Sequence, residues 1–237
     1  MAARRRDAAL IALVGADAAL KACAWAFLRA RPLPGAYAGP FRLGYVENST
    51  GFGFDQSRLL ARYGVTTDDG FIVCTLSVFL LLSVFVLLWK KISSPAWLKA
   101  CLAVVVYFAL AAAALSFHDA VRISLSPYSR SLLRALGPCA VAASLYLVAS
   151  RPYYVALTAV FLAGTIGNCA SLLLPPFAVI DYLGIYRPSL GFYVYADAAD
   201  LYLAAALAAL AARPFVLFVR AARRRKCPED TNSRSKP

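Results

Sequence analysis

Residues 71–89 read FIVCTLSVFLLLSVFVLLW, a stretch without a charge that Lys90-Lys91 closes. A helix needs about 20 consecutive apolar residues to cross the hydrocarbon core of a bilayer, and a buried strand needs far fewer. The stretch therefore reads as a membrane-spanning helix with a basic stop. The rest of the chain agrees. Of its 237 residues 61% are apolar and 16% charged, and the mean hydropathy is +0.65. Soluble domains run about 45–50% apolar and about 25% charged. The composition excludes a soluble globular enzyme, a disordered chain and a fibrous repeat.

Working outward, five more stretches have the length and apolarity of spans. Ala8–Leu28 follows Arg4-Arg5-Arg6. It resembles a signal peptide, but Asp17 and Lys21 interrupt it and no clean Ala-x-Ala site ends it, so a retained helix is expected. Trp97–Phe117 precedes His118-Asp119. Leu132–Ala149 carries Gly137-Pro138, which predicts a kink or restart. Pro152–Leu174 and Asp197–Val219 complete the set, the latter followed by Arg223-Arg224-Arg225-Lys226. The expected fold class is an all-α polytopic membrane protein of about six transmembrane helices with a small outer-face β cradle. It forms one membrane domain over residues 1–226, with spans at about 8–28, 71–89, 97–117, 132–149, 152–174 and 197–219. The polar residues 227–237 read as a disordered cytoplasmic tail.

The net charge of +13 comes mostly from basic residues that punctuate apolar runs. The positive-inside rule explains that pattern, and no nucleic-acid partner is expected. Six spans place both termini in the cytoplasm. Two longer segments, 29–70 and 175–196, then face outward; rich in Gly, Pro and aromatics, they read as short strands and turns at the membrane surface. The six cysteines are scattered without a CxxC pair, so neither a metal site nor a redox motif is expected.

An ionisable residue at the centre of a span costs about 2.5–3.5 kcal/mol to insert, so it comes with a partner and a purpose. Asp17 and Lys21 lie four apart, one turn along one helix face. They form either a self-neutralising structural ion pair or an anchor for an outer loop or a substrate backbone. Asp197 and Asp200 open the last span. Aspartate is favoured there as a cap; the alternative is acid–base work, which needs a second carboxylate nearby. Gly164-Thr165-Ile166-Gly167-Asn168 near the end of the fifth span suits close helix packing. His118-Asp119 reads as a local hydrogen bond, with no nucleophile at motif spacing.

Taken together, these pieces resemble the lipoprotein signal peptidases (signal peptidase II), bacterial inner-membrane aspartic proteases. The family's Asp and Lys four apart in the first helix match Asp17 and Lys21. Its tyrosine-valine-x-asparagine strand, followed by glycine and phenylalanine, is similar to Tyr45-Val46-Glu47-Asn48 with Gly51 and Phe54, with one extra residue before the glycine. Its Gly-Asn pair matches Gly167-Asn168, its valine-x-aspartate strand Val179-Ile180-Asp181, and its last-helix Ala-Asp pair Ala196-Asp197. The resemblance covers residues 8–90 and 138–219; residues 97–137 have no counterpart, and the family has four spans.

One departure bears on chemistry. The family's second catalytic aspartate falls on Ser171, and its asparagine three residues before the last-helix Asp falls on Val194. The resemblance implies Asp197 as a catalytic acid, Ser171 as a degenerate catalytic position, and Asn48, Gly51, Phe54 and Asn168 as substrate-binding residues. Asp181 supplies the second carboxylate only if its segment folds back over Asp197. No metal and no cofactor are implied. The expected function is signal peptidase II-like hydrolysis of prolipoprotein signal peptides at the outer face of a bacterial cytoplasmic membrane, with altered or lost activity. The alternatives are a non-catalytic pseudoprotease that binds lipoprotein precursors or membrane helices, and a small transporter or scaffold. Expected partners are membrane lipid and signal peptides or transmembrane segments, bound by a monomer.

Overall fold

The computed structural model describes residues 2–31, 39–48, 69–89, 102, 105–107, 109–110, 123–189 and 192–226. In chain order these form α1 (Ala2–Leu28), β1 (Phe41–Asn48), α2 (Asp69–Leu88), α3 (Pro127–Val148), α4 (Pro152–Leu173), β2 (Val179–Arg187), β3 (Phe192–Ala196) and α5 (Ala198–Lys226). The protein is a mostly helical membrane protein with a small sheet.

Four helices are long and apolar enough to cross a bilayer: Asp7–Leu28 of α1, and α2, α3 and α4. The described residues hold four such helices, where six spans were expected. The expected third span, 97–117, lies largely outside them. The expected sixth falls within α5, which is not among the four. Leu80, Leu81, Val84, Leu87 and Leu88 of α2 are all exposed. That continuous apolar face is poorly suited to water and is what a helix turned toward lipid presents.

One helix differs from expectation at identifiable residues. α3 starts five residues early because Ser126 caps it: its Oγ accepts the Ser129 N–H at 3.1 Å, and Pro127 takes the first helical position. Gly137-Pro138 does not restart the helix, which runs through it. Gly137 serves packing instead. A Cβ there would stand 2.7 Å from the Phe79 ring, so glycine lets α2 lie against α3.

α4 is central. Ala159 and Leu162 pack on Ala142 and Tyr146 of α3 to form the buried core, and Leu10 of α1 joins its edge. On another side Gly164 faces the Ala199 carbonyl of α5, where a Cβ would come within 2.6 Å. The strands form an antiparallel sheet in the order β1-β2-β3. The register pairs Val46 with Asp181 and Leu183 with Ala196, with a bulge between Leu43 and Val46. Alternation then separates two faces. One carries Leu43, Leu183, Ile185 and Val194 and ends at Asp181; the other carries Arg42, Tyr193 and Tyr195, with the Arg42 guanidinium stacked 3.8 Å from the Tyr193 ring centre. β3 leads directly into α5, so the sheet sits over the α5 N-terminus.

Candidate functional site

Where α1, α4, β2 and the start of α5 meet, charged side chains are buried. Asp17 and Asp197 are 0% exposed and Lys21 is 5% exposed. Lys21 reaches from α1 to four oxygens. Its Nζ lies 2.8 Å from Asp17 Oδ2 and 2.6 Å from Asp197 Oδ2. It also donates to the Gly167 carbonyl at 3.0 Å and to Asn168 Oδ1 at 3.1 Å. An ammonium has three protons, fewer than the four oxygens around it.

Gly167 is what permits the approach. A Cβ there would stand 2.5 Å from Asp17 Oδ2 and 3.1 Å from the Ala199 Cβ. The glycine-asparagine step therefore packs α4 against both α1 and α5, and it also turns its carbonyl and amide toward Lys21. The packing and the polar readings of this step describe the same contact.

The start of α5 ties in the other acids. Asp17 Oδ1 accepts the Ala199 N–H at 3.0 Å. Asp197 Oδ1 accepts the Asp200 N–H at 2.7 Å, the bond of an N-cap. Both oxygens of Asp197 are thus engaged, one by the helix start and one by Lys21. Asp200, half-buried, accepts from Asn168 Nδ2 at 2.9 Å. Tyr182 Oη accepts the Ala198 N–H at 2.9 Å.

Asp181 comes from the sheet. It is 2% exposed, and its Oδ2 accepts from Asn48 Nδ2 at 3.2 Å. Its Oδ1 is buried with no hydrogen-bond partner among the described residues. One carboxylate oxygen from each of Asp181, Asp197 and Asp200 lies within 4.8 Å of the other two. Burial first, and then the charges of Asp197 and Asp200, push the Asp181 carboxyl up to about 8; the Asn48 hydrogen bond and Lys21 oppose this.

Ser171, one turn beyond Gly167, donates to the same Gly167 carbonyl at 3.1 Å. It lines a cavity of about 310 Å³ between α1 and α4. Ala18, Ala22 and Trp25 line the α1 side, Pro176 and Ile180 the far edge, and the Asp17–Lys21 pair supplies its polar groups. The walls are otherwise apolar.

Asp17, Lys21, Asn48, Asn168, Asp181 and Asp197, singled out in the sequence, thus converge on one cluster, with Ser171 in the adjoining cavity. Gly51 and Phe54 lie outside the described residues. Asp200, read in the sequence beside Asp197 at the opening of the last span but outside the family motifs, joins the cluster. Its signal was present: three residues after Asp197 in a first helical turn, it shares that residue's side of the helix. Comparison of the chain with family models, curated proteins and solved structures finds no match.

Proposed function

We propose that the chain is a signal peptidase II-like membrane protein that holds a signal peptide or transmembrane segment of a lipoprotein precursor in the cavity between α1 and α4. The observation that carries this reading is that cavity. Its apolar walls suit a hydrophobic segment, and the Asp17 carboxylate and the Ser171 hydroxyl, which donates to Gly167, can each still accept a hydrogen bond from a backbone within it. The membrane is read as a bacterial cytoplasmic membrane with both termini inside, from the basic flanks of the spans and the resemblance. Binding without cleavage is favoured over hydrolysis. Asp197, the expected acid, has both oxygens engaged, and Ser171 stands where the second acid would be.

One observation favours a second reading, an aspartic peptidase. Asp181 and Asp200 bring carboxylate oxygens within 4.8 Å, a span that one bridging water can fill. A single experiment addresses both. A photo-reactive group at Ala22 of the full chain, in proteoliposomes, is exposed to a prolipoprotein signal peptide. Crosslinking without cleavage is the expected result. Cleavage that Asp181→Asn and Asp200→Asn each abolish would establish the peptidase instead. Neither crosslink nor cleavage would overturn both.

A further inference from the structure

Four carboxylates, those of Asp17, Asp181, Asp197 and Asp200, gather around one ammonium. Lys21 spends its protons on Asp17, Asp197, Gly167 and Asn168. None reaches Asp181 or Asp200. The only described polar contacts of those two carboxylates come from neutral amides, Asn48 on Asp181 Oδ2 and Asn168 on Asp200 Oδ1. An amide orients a carboxylate but does not cancel its charge. Excess negative charge in a buried setting is costly unless a proton or a cation meets it, and a cation on Asp181 would displace the proton that burial favours there.

The buried Asp181 Oδ1 is the second observation. It has no hydrogen-bond partner among the described residues, and its carboxylate belongs to the group of three whose oxygens lie within 4.8 Å of one another. Hard divalent cations bind oxygens at about 2.0–2.6 Å, so two ligands on opposite sides of one ion are separated by about 4–5 Å. The ligand set is all oxygen. It lacks the imidazole or thiolate that zinc and copper prefer. Asp200 is the half-buried member of the three, the others being buried.

We propose that Asp181 and Asp200 bind a hard divalent cation, Ca²⁺ or Mg²⁺, with Asp197 adding a lone pair that its helix cap and Lys21 leave free, and that the ion supplies the charge that Lys21 does not. The site departs from the sequence expectation of no metal because its ligands come from β2 and from both sides of the α5 start, a grouping without a sequence motif. It does not depend on the proposed cavity ligand or on peptide cleavage, since its readout is ion binding.

The full-length chain, purified in detergent and stripped with EDTA, is titrated with CaCl₂ and separately with MgCl₂ while its thermal unfolding is followed. Terbium luminescence, excited through nearby tyrosines such as Tyr182, gives a direct readout of occupancy. The expected result is saturable stabilisation by at least one of the two ions, and terbium emission that the same ion displaces. Asp200→Asn, which alters a half-buried side chain and is the mildest change to the fold, should weaken binding by about tenfold or more through the loss of one ligand charge. No saturable effect up to about 10 mM, beyond the weakest class of protein Ca²⁺ sites, would overturn the proposal. So would equal binding by wild type and Asp200→Asn, which would mark an ion held elsewhere. If Asp200→Asn fails to fold, Asn168→Ala, which leaves all three carboxylates in place, should still bind terbium; absence of binding there would also count against it.

Discussion

Lys21 Nζ lies 2.6 Å from Asp197 Oδ2, so the first helix of the chain supplies the counter-charge to the acid that opens α5. Both partners are buried, with side-chain exposures of 6% and 0%. Exposed ion pairs contribute little to stability, but removing one partner of a buried pair leaves an uncompensated charge. Lys21→Met should therefore destabilise the protein by about 3–5 kcal/mol, measured by reversible unfolding in mixed micelles. Asp17→Asn should cost less, because Lys21 keeps Asp197, Gly167 and Asn168. Loss of under about 1 kcal/mol in Lys21→Met would mean that water reaches the pair.

The glycines of α4 give a steric prediction. A Cβ at Gly167 would meet Asp17 Oδ2 at 2.5 Å, and one at Gly164 would meet the Ala199 carbonyl at 2.6 Å. Backbone and a bonded carboxylate cannot yield cheaply. Gly164→Ala and Gly167→Ala should each cost about 1–3 kcal/mol, the usual range for overpacking. Gly15 is the control, since nothing lies within 4 Å of its added Cβ. Gly15→Ala should be neutral or stabilise by up to about 1 kcal/mol through helix propensity. Melting curves of the three variants in one detergent check the order.

How far the sequence was legible follows from the range of each interaction. The Phe71–Trp89 run could be read because crossing a bilayer demands a long local signal. The Asp17–Lys21 pair could be read because one helical turn fixes its geometry. Span boundaries were weaker: Ser126 moved the start of α3 upstream, and Gly137 proved to be a seat for Phe79. The convergence of Asp181 on Asp197 and Asp200 depends on the β1–β2 register and on the entry of β3 into α5. Those are long-range pairings with no periodic trace in the sequence. The commitment of Asp197 to Lys21 is of the same kind, and the Asp197 sequence context alone left a cap and acid–base work open.

Filling the cavity tests the binding reading without touching the acids. Ala18 lines it and is exposed on α1. Ala18→Trp puts a bulky side chain into a space of about 310 Å³ and removes no described hydrogen bond. Signal-peptide crosslinking in proteoliposomes should fall by about tenfold, a loss of about 1.4 kcal/mol of binding. The thermal midpoint should stay near wild type. Unchanged crosslinking would move the peptide site away from this cavity.

Ser171→Asp asks whether the missing carboxylate is what silences the proposed peptidase chemistry. Ser171 follows Asn168 by three residues on α4, and Asn168 Nδ2 holds Asp200 Oδ1 at 2.9 Å. A carboxylate at 171 would share that helix face and enter the cavity that the peptide is proposed to occupy. Asp197 is a poor partner for it, because the helix cap and Lys21 already engage both its oxygens. Half-buried Asp200 has the more accessible carboxylate. Ser171→Asp should therefore gain cleavage of a prolipoprotein signal peptide, by about 10²-fold or more over wild type if the new acid completes an acid–base pair. The gain should vanish in Ser171→Asp combined with Asp200→Asn. The assay is run in EDTA, so that a cation on Asp200 does not compete. A variant that folds and crosslinks the peptide as wild type does, yet gains no cleavage, would separate peptide binding here from any two-carboxylate mechanism.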